Sequence, residues 1–181
     1  MKTLPDYLDH QLRIISIGLN PSPISVESDY YFANPRNRFW KSLNRSRLVD
    51  NELVPGEAAM QELFRNYRIG FTDLVKKPTS SGNELLAADY REGAPVLKEK
   101  LLEYQPGIAW FHGKVAYRNY LKYAEGRKMD IPWRAQKYFI GKSRVFVTPN
   151  PSPANATYST DDLVRFYNDL VSYQIRELFG L

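Results

Sequence analysis

Twice in this chain an apolar, β-branched run suited to a strand is cut off by alternating prolines. Arg13-Ile14-Ile15-Ser16-Ile17-Gly18-Leu19-Asn20 meets Pro21-Ser22-Pro23, and Ser143-Arg144-Val145-Phe146-Val147-Thr148 meets Pro149-Asn150-Pro151-Ser152-Pro153. Proline offers no backbone N–H to a ladder or a helix interior, so each fence turns a buried strand into a loop. A third run, Gly107-Ile108-Ala109-Trp110-Phe111-His112, stops at Gly113. It is followed by Lys114 to Ala124, where Val115, Tyr117, Tyr120 and Leu121 fall on one helical face, a strand-turn-helix unit.

Helical spacing fills the intervals. It predicts helices over Phe39 to Leu48, Pro55 to Tyr67 and Ala94 to Glu103, the last with a Leu97, Leu101 and Leu102 stripe. A closing helix over Asp161 to Phe179 carries Leu163, Phe166, Leu170, Val171 and Leu178 behind Ser159, Thr160 and two aspartates, which suit a capped, negatively charged start. Strands separated by helices predict an α/β fold, three-layer α/β/α with a small, mainly parallel central sheet. Ligands of such sheets bind at the carboxyl ends of the strands, so both proline-fenced loops should open onto one crevice. At 181 residues the chain is expected to form one domain over 1–181, and Lys76 to Glu84 reads only as a polar loop.

Several chemistries are excluded. The chain has no cysteine and only two histidines, His10 and His112, with no His or carboxylate grouping at metal spacing, so no metal and no cofactor is expected. Neither a Gly-x-Gly-x-x-Gly nor a P-loop nor a Gly-x-Ser-x-Gly elbow is present. His112, at a strand end, reads as a packed or partly exposed histidine in preference to a ligand contact. No apolar run approaches the roughly 18 residues of a membrane helix, and the first residues lack the apolar core of a signal peptide. The expectation is a cytoplasmic monomer with no membrane association. The net charge of +5 is concentrated in two stretches: five bases and no acid from Arg36 to Arg47, and nine bases against Glu125 and Asp130 from His112 to Val145. Such stretches suit either a phosphate-binding face or ordinary solvated helix surfaces.

What remains is Gly18-Leu19-Asn20-Pro21-Ser22-Pro23 followed by Tyr30-Tyr31-Phe32-Ala33-Asn34-Pro35-Arg36-Asn37-Arg38-Phe39-Trp40-Lys41. These residues resemble the first motif of the mismatch-specific uracil/thymine-DNA glycosylases, within the uracil-DNA glycosylase superfamily. There a strand ends Gly-aliphatic-Asn-Pro, and Phe-x-x-Pro-x-Asn-x-Phe-Trp-Lys follows about a dozen residues on. Ile69-Gly70-Phe71-Thr72-Asp73-Leu74-Val75, Tyr104-Gln105-Pro106 through Gly113-Lys114, and Pro149-Asn150-Pro151-Ser152 are similar to later family segments in the same order. The likeness spans about Arg13 to Tyr173.

The resemblance implies a monofunctional DNA glycosylase that flips uracil, or another damaged base in a G mismatch, out of double-stranded DNA and hydrolyses its N-glycosidic bond to start base excision repair. By position, Asn20 would hold the hydrolytic water and Phe32 would stack on the extruded base, with Ser25 near the edge of that ring. Leu19, Ser22 and Asn150 would line the base pocket. Asn37, Lys41, Lys114, Ser152, Ala154 and Asn155 would face the DNA. An amide cannot take a proton near neutral pH, so such an enzyme positions water without acting as a true base and favours good leaving groups such as uracil. One departure stands out. Relatives follow Asn-Pro-Ser with Gly and a large side chain that fills the gap left by the flipped base, whereas here Pro153-Ala154-Asn155-Ala156 follows, and Ala154 is too small for that task. Asn155 or Tyr158 is left to take it, and the preference for a mismatch over single-stranded uracil stays open. A non-catalytic nucleic-acid-binding module would also account for the charge and the aromatics, though not for amides at two fenced strand ends. A nucleoside hydrolase of similar layout would want carboxylates at those ends.

Overall fold

The computed structural model describes residues 1–180. Five short strands form one sheet: β1 (Ile14–Gly18), β2 (Ile69–Asp73), β3 (Ile108–His112), β4 (Arg134–Ala135) and β5 (Arg144–Thr148), in the order β2-β1-β3-β5-β4. The first four in that order run parallel, and the two-residue β4 pairs antiparallel with β5 at the edge. Six α-helices accompany them: α1 (Pro23–Ser28), α2 (Phe39–Arg45), α3 (Glu57–Arg65), α4 (Ala87–Tyr104), α5 (Lys114–Tyr120) and α6 (Thr160–Phe179).

The strand residues point alternately to two apolar layers. Ile14, Ile69, Phe71, Ile108, Trp110 and Phe146 join Phe39, Trp40 and Leu43 of α2, Met60 and Leu63 of α3, and Leu163, Phe166 and Leu170 of α6. Ile15, Ile17, Ala109, Phe111, Val145 and Val147 meet Leu97 and Leu101 of α4 and Tyr117 and Tyr120 of α5. The result is the expected α/β/α sandwich around a mainly parallel sheet. Each large side chain buried in these layers stabilises the fold by roughly 1.5–3 kcal/mol relative to exposure.

The strand order reverses direction between β1 and its neighbours: the chain passes from β1 to β2 on one side and then crosses to β3 on the other. Such a switch point leaves a crevice at the carboxyl ends of the two middle strands, here the ends carrying Gly18 and His112.

Several boundaries differ from the sequence expectation. Pro23 does not merely end a strand: it occupies the first turn of α1, where its missing N–H costs nothing, and the Ser22 hydroxyl caps that helix by accepting from the Ser25 N–H at 3.2 Å. α4 begins seven residues before the predicted Ala94 and continues through Pro95. The predicted helix over 114–124 is α5 followed by a π-turn over Leu121–Glu125, while α2 and α3 stop short of the predicted Leu48 and Tyr67. β2 was not evident from hydrophobic spacing, because Gly70, Thr72 and Asp73 interrupt its apolar run; pairing with β1 on one side and a bridge from Tyr7 to Phe71 on the other bury it. α6 starts as expected, with Ser159 accepting from the Asp162 N–H and the Asp162 carboxylate accepting from the Ser159 N–H.

Candidate active site

The two proline-fenced loops share one cavity of about 890 Å³, at the upper end of the roughly 300–1,000 Å³ typical of small-molecule sites. Leu19, Asn20 and Ser22 line it from the loop after β1, Ser25 and Phe32 from α1 and the turn beyond it, Asn37 from the start of α2, and Asn150, Ser152, Ala154 and Asn155 from the loop after β5. Lys114 lines it from the first turn of α5. Lys41 is the exception: it is exposed on α2 and does not reach the cavity.

Asn20 is half-buried, and its amide is held by two neighbours. The Nδ2 group donates to the Lys77 carbonyl at 2.9 Å and to the Thr79 hydroxyl oxygen at 2.7 Å, and Thr79 in turn donates to the Ser81 carbonyl. Both amide hydrogens are thereby engaged, and Oδ1 takes no protein donor among the described residues. The segment that supplies these anchors is the stretch read from sequence as a plain polar loop. It is more than that, because Thr79 to Asn83 form one wall of the cavity and the Thr79 N–H donates to the Pro21 carbonyl.

Phe32 stands in left-handed backbone geometry, φ 58°, a conformation that costs a non-glycine residue of order 1–3 kcal/mol unless its surroundings fix it. The surroundings do so here. The Ser25 hydroxyl accepts from the Ala33 N–H, and the Phe32 ring lies on Phe39 at 4.1 Å between centroids with 23° between planes. Its edge-to-face neighbour is His112, at 5.2 Å.

His112 is packed as expected but also lines the cavity. Its Nε2 lies 2.7 Å from the Ser16 hydroxyl and its Nδ1 is buried without a partner. Burial among rings pushes its pKa down to about 3, so the imidazole is neutral at any physiological pH. Gly113, at φ 98°, lets the chain turn out of β3: a β-carbon there would sit 3.3 Å from Cβ of Asn150.

The loop after β5 is wound on itself. Asn150 Oδ1 accepts from the Ser152 N–H, the Ser152 hydroxyl oxygen accepts from the Ala154 N–H, and Asn155 donates to the Asn150 carbonyl. Arg38 clamps it from outside, donating from its guanidinium to the carbonyls of Ser152, Asn155 and Tyr158. Asn37 plays a local part as well, its Oδ1 accepting from the Phe39 N–H at the start of α2.

Five of the fourteen bases in the two basic stretches are taken up by partners within the chain. Arg38 is consumed as described, Arg45 pairs with Asp161, Arg47 donates to Asn168 and Ser172, Arg134 pairs with Asp169 and Arg144 with Glu177. Around the cavity the cations are Arg36 and Lys114, the latter with its ammonium 4.4 Å above the Trp133 ring. No group of three or more His, Asp or Glu side chains gathers at metal-binding distance among the described residues, and no helix there is long and apolar enough to cross a membrane.

Sequence reading overlooked Asn34, Thr79 and Asp73, all of which line the cavity. Asp73 ends β2, is buried, and has a pKa raised to about 7, first by desolvation and further by Asp6, against the opposing pull of Lys76 and Lys100. An acid closing a strand next to β1 was the available signal.

Fold and cavity together define a parallel α/β protein with a cleft site built from amides and aromatic rings. The sequence pattern of the Uracil DNA glycosylase superfamily matches residues 5–171, and the chain belongs to that superfamily. DNA glycosylase chemistry is the activity that membership supports. The fold is also that of the solution NMR structure of "a putative Uracil DNA glycosylase from Methanosarcina acetivorans", with a TM-score of 0.57 and 21% identity over 94% of this chain and 98% of that one.

Proposed function

We propose that this protein is a monofunctional DNA glycosylase that removes uracil from DNA, with Asn20 holding the attacking water and Phe32 stacking on the extruded base. The observation that carries this reading is the orientation of the Asn20 amide. With both N–H bonds tied to Lys77 and Thr79, its oxygen is the group left for the cavity, an acceptor for a water that must be aimed at the sugar.

Cleavage of an N-glycosidic bond develops positive charge on the sugar and negative charge on the departing base, so a positioned water and a preorganised polar pocket lower the barrier without a strong base. Extrusion costs a few kcal/mol, least for a mispaired or unpaired base, and a stacking ring offsets part of that cost. Arg36 and Lys114 at the rim suit the flanking phosphates, and the amides of Asn37 and Asn150 supply further polar contacts.

The test is formation of abasic sites on oligonucleotides carrying uracil opposite guanine, uracil opposite adenine, or uracil in single strands, in the presence of a chelator. Release from at least one of these is expected, and the ranking reports whether Asn155 or Tyr158 compensates for the small Ala154. Parallel substrates with thymine, hypoxanthine and ethenocytosine define the range. DNA binding with no base release from any substrate would identify a binding module instead.

A further inference from the structure

Asn20 and Phe32 use the β1 side of the cavity, while the side toward β4 is lined by Lys114, Val115, Trp133 and Tyr158. Arg134 and Phe111 are both in register with Val147, which sets Trp133 level with His112, the edge-to-face neighbour of Phe32. Trp133 is then two strand spacings, roughly 10 Å, from the base slot, a span that an adjoining nucleotide can bridge.

Trp133 is half-buried, and no ring is stacked on it: Tyr158 and Phe166 meet it at 78° and 66°. What lies over its face is the Lys114 ammonium, 4.4 Å from the ring centroid on a flexible stem. Half-exposed Val115 adds apolar surface to this end of the cavity. The neighbouring loop after β5 is poorly equipped to open a duplex. Its tip exposes Pro153, Ala154, Ala156 and Thr157, none large enough to fill a gap in a base stack. The two larger residues are committed elsewhere. Asn155 donates its amide to the Asn150 carbonyl at 3.0 Å, and the Tyr158 ring packs edge-to-face on Trp133 and Phe166, with centroids 5.4 and 5.8 Å away. A duplex from which a base has swung out is kept open by an inserted side chain, whereas an unpaired strand needs none.

We propose that Trp133 is a second stacking site, for the unpaired nucleobase next to the extruded one in a single strand, and that Lys114 is parked on it until DNA arrives. The arriving base takes the ring and the ammonium moves to the adjoining phosphate, exchanging a cation–π contact for a charge pair. Stacking of this kind tolerates any sequence, because every base has a π-face. Bases flanking a lesion in a duplex are paired and stacked, and do not reach the ring. This assignment rests on the glycosylase reading and narrows its substrate to unpaired DNA.

Two measurements test it. Trp40 and Trp110 are buried in the core, so quenching of tryptophan fluorescence by a short, uracil-free thymidine strand reports on Trp133. Quenching is expected with that strand, and is expected to vanish in Trp133→Phe. The second measurement is single-turnover release of uracil from single strands in which the neighbours of the uracil are thymidines, or tetrahydrofuran residues that keep the phosphates and lack the bases. Loss of the neighbouring bases should raise the half-saturating concentration of wild type about tenfold, with the maximal rate nearly unchanged. Trp133→Leu should show that loss already with thymidine neighbours and no further loss with tetrahydrofuran, whereas W133F, which keeps a ring, should retain most of the wild-type sensitivity. On duplexes the loss in W133L should be smaller than on single strands. Lys114→Ala should keep the quench and reduce the slope of log affinity against log salt by about 0.7.

Equal half-saturation with thymidine and tetrahydrofuran neighbours in wild type would overturn the assignment. So would a missing quench, a wild-type preference for duplex uracil, or a W133L loss of equal size on duplexes and single strands, the mark of a merely structural tryptophan. A normal quench with no base release from any strand defeats the glycosylase reading instead, and leaves a single-strand binding site.

Discussion

The loop after β1 and the loop after β5 each present an asparagine to the same cavity, and the two amides face it with opposite polarity. Asn20 gives its N–H bonds to Lys77 and Thr79 and keeps its oxygen, whereas Asn150 gives its oxygen to the Ser152 N–H and keeps its N–H pair. One is suited to hold a water by accepting from it. The other is suited to donate to a phosphate or a base oxygen. Identical side chains thus acquire different chemistry from their neighbours, and the neighbours are the better guide to role.

The largest effect that would sharpen this contrast is at Asn20. Replacement by Ala should lower single-turnover base release by about 10²–10³-fold, the scale of losing one preorganised polar group at a reacting centre, with DNA affinity within a few-fold of wild type. Comparable release by the variant would break the assignment. Next comes Arg38→Met, which frees the loop after β5 from its clamp. Hydrogen bonds from charged groups are worth about 1.5–3 kcal/mol each, so DNA affinity should drop at least tenfold and Tm by several degrees, read by titration and calorimetry. Thr79→Val removes one anchor of the Asn20 amide; a roughly fivefold slower release is expected, largely restored by Thr79→Ser, with little change in affinity. Smallest is Asn150→Ala, which should weaken binding about threefold and leave release from the bound complex nearly untouched. If N150A slowed release as much as N20A, the distinction between the two loops would fail.

Much of this architecture could be read from the chain alone. β1, β3 and β5 announce themselves because they are buried on both faces and apolar almost throughout, and α6 because its stripe and its cap agree. Asn20, Phe32 and Asn150 were legible through motif spacing. β2 was hidden, since it is buried by tertiary partners despite Gly70, Thr72 and Asp73. So was the duty of the polar loop: nothing local to Thr79 says that Asn20, 59 positions away, will donate to it. The basic stretch from Arg36 to Arg47 misleads for the same reason, because the side chains of Arg38, Arg45 and Arg47 find carbonyl, carboxylate and hydroxyl acceptors far along the chain.

The tether between Asn20 and residues 77–79 makes the angle of the amide oxygen, to which we assign the water, a property of a segment remote in sequence. An inserted or deleted residue in that segment would rotate the amide while β1 stayed unchanged. On the proposed reading, turnover can therefore be tuned by changes outside the proline-fenced loop, in residues that pair with no strand of the sheet.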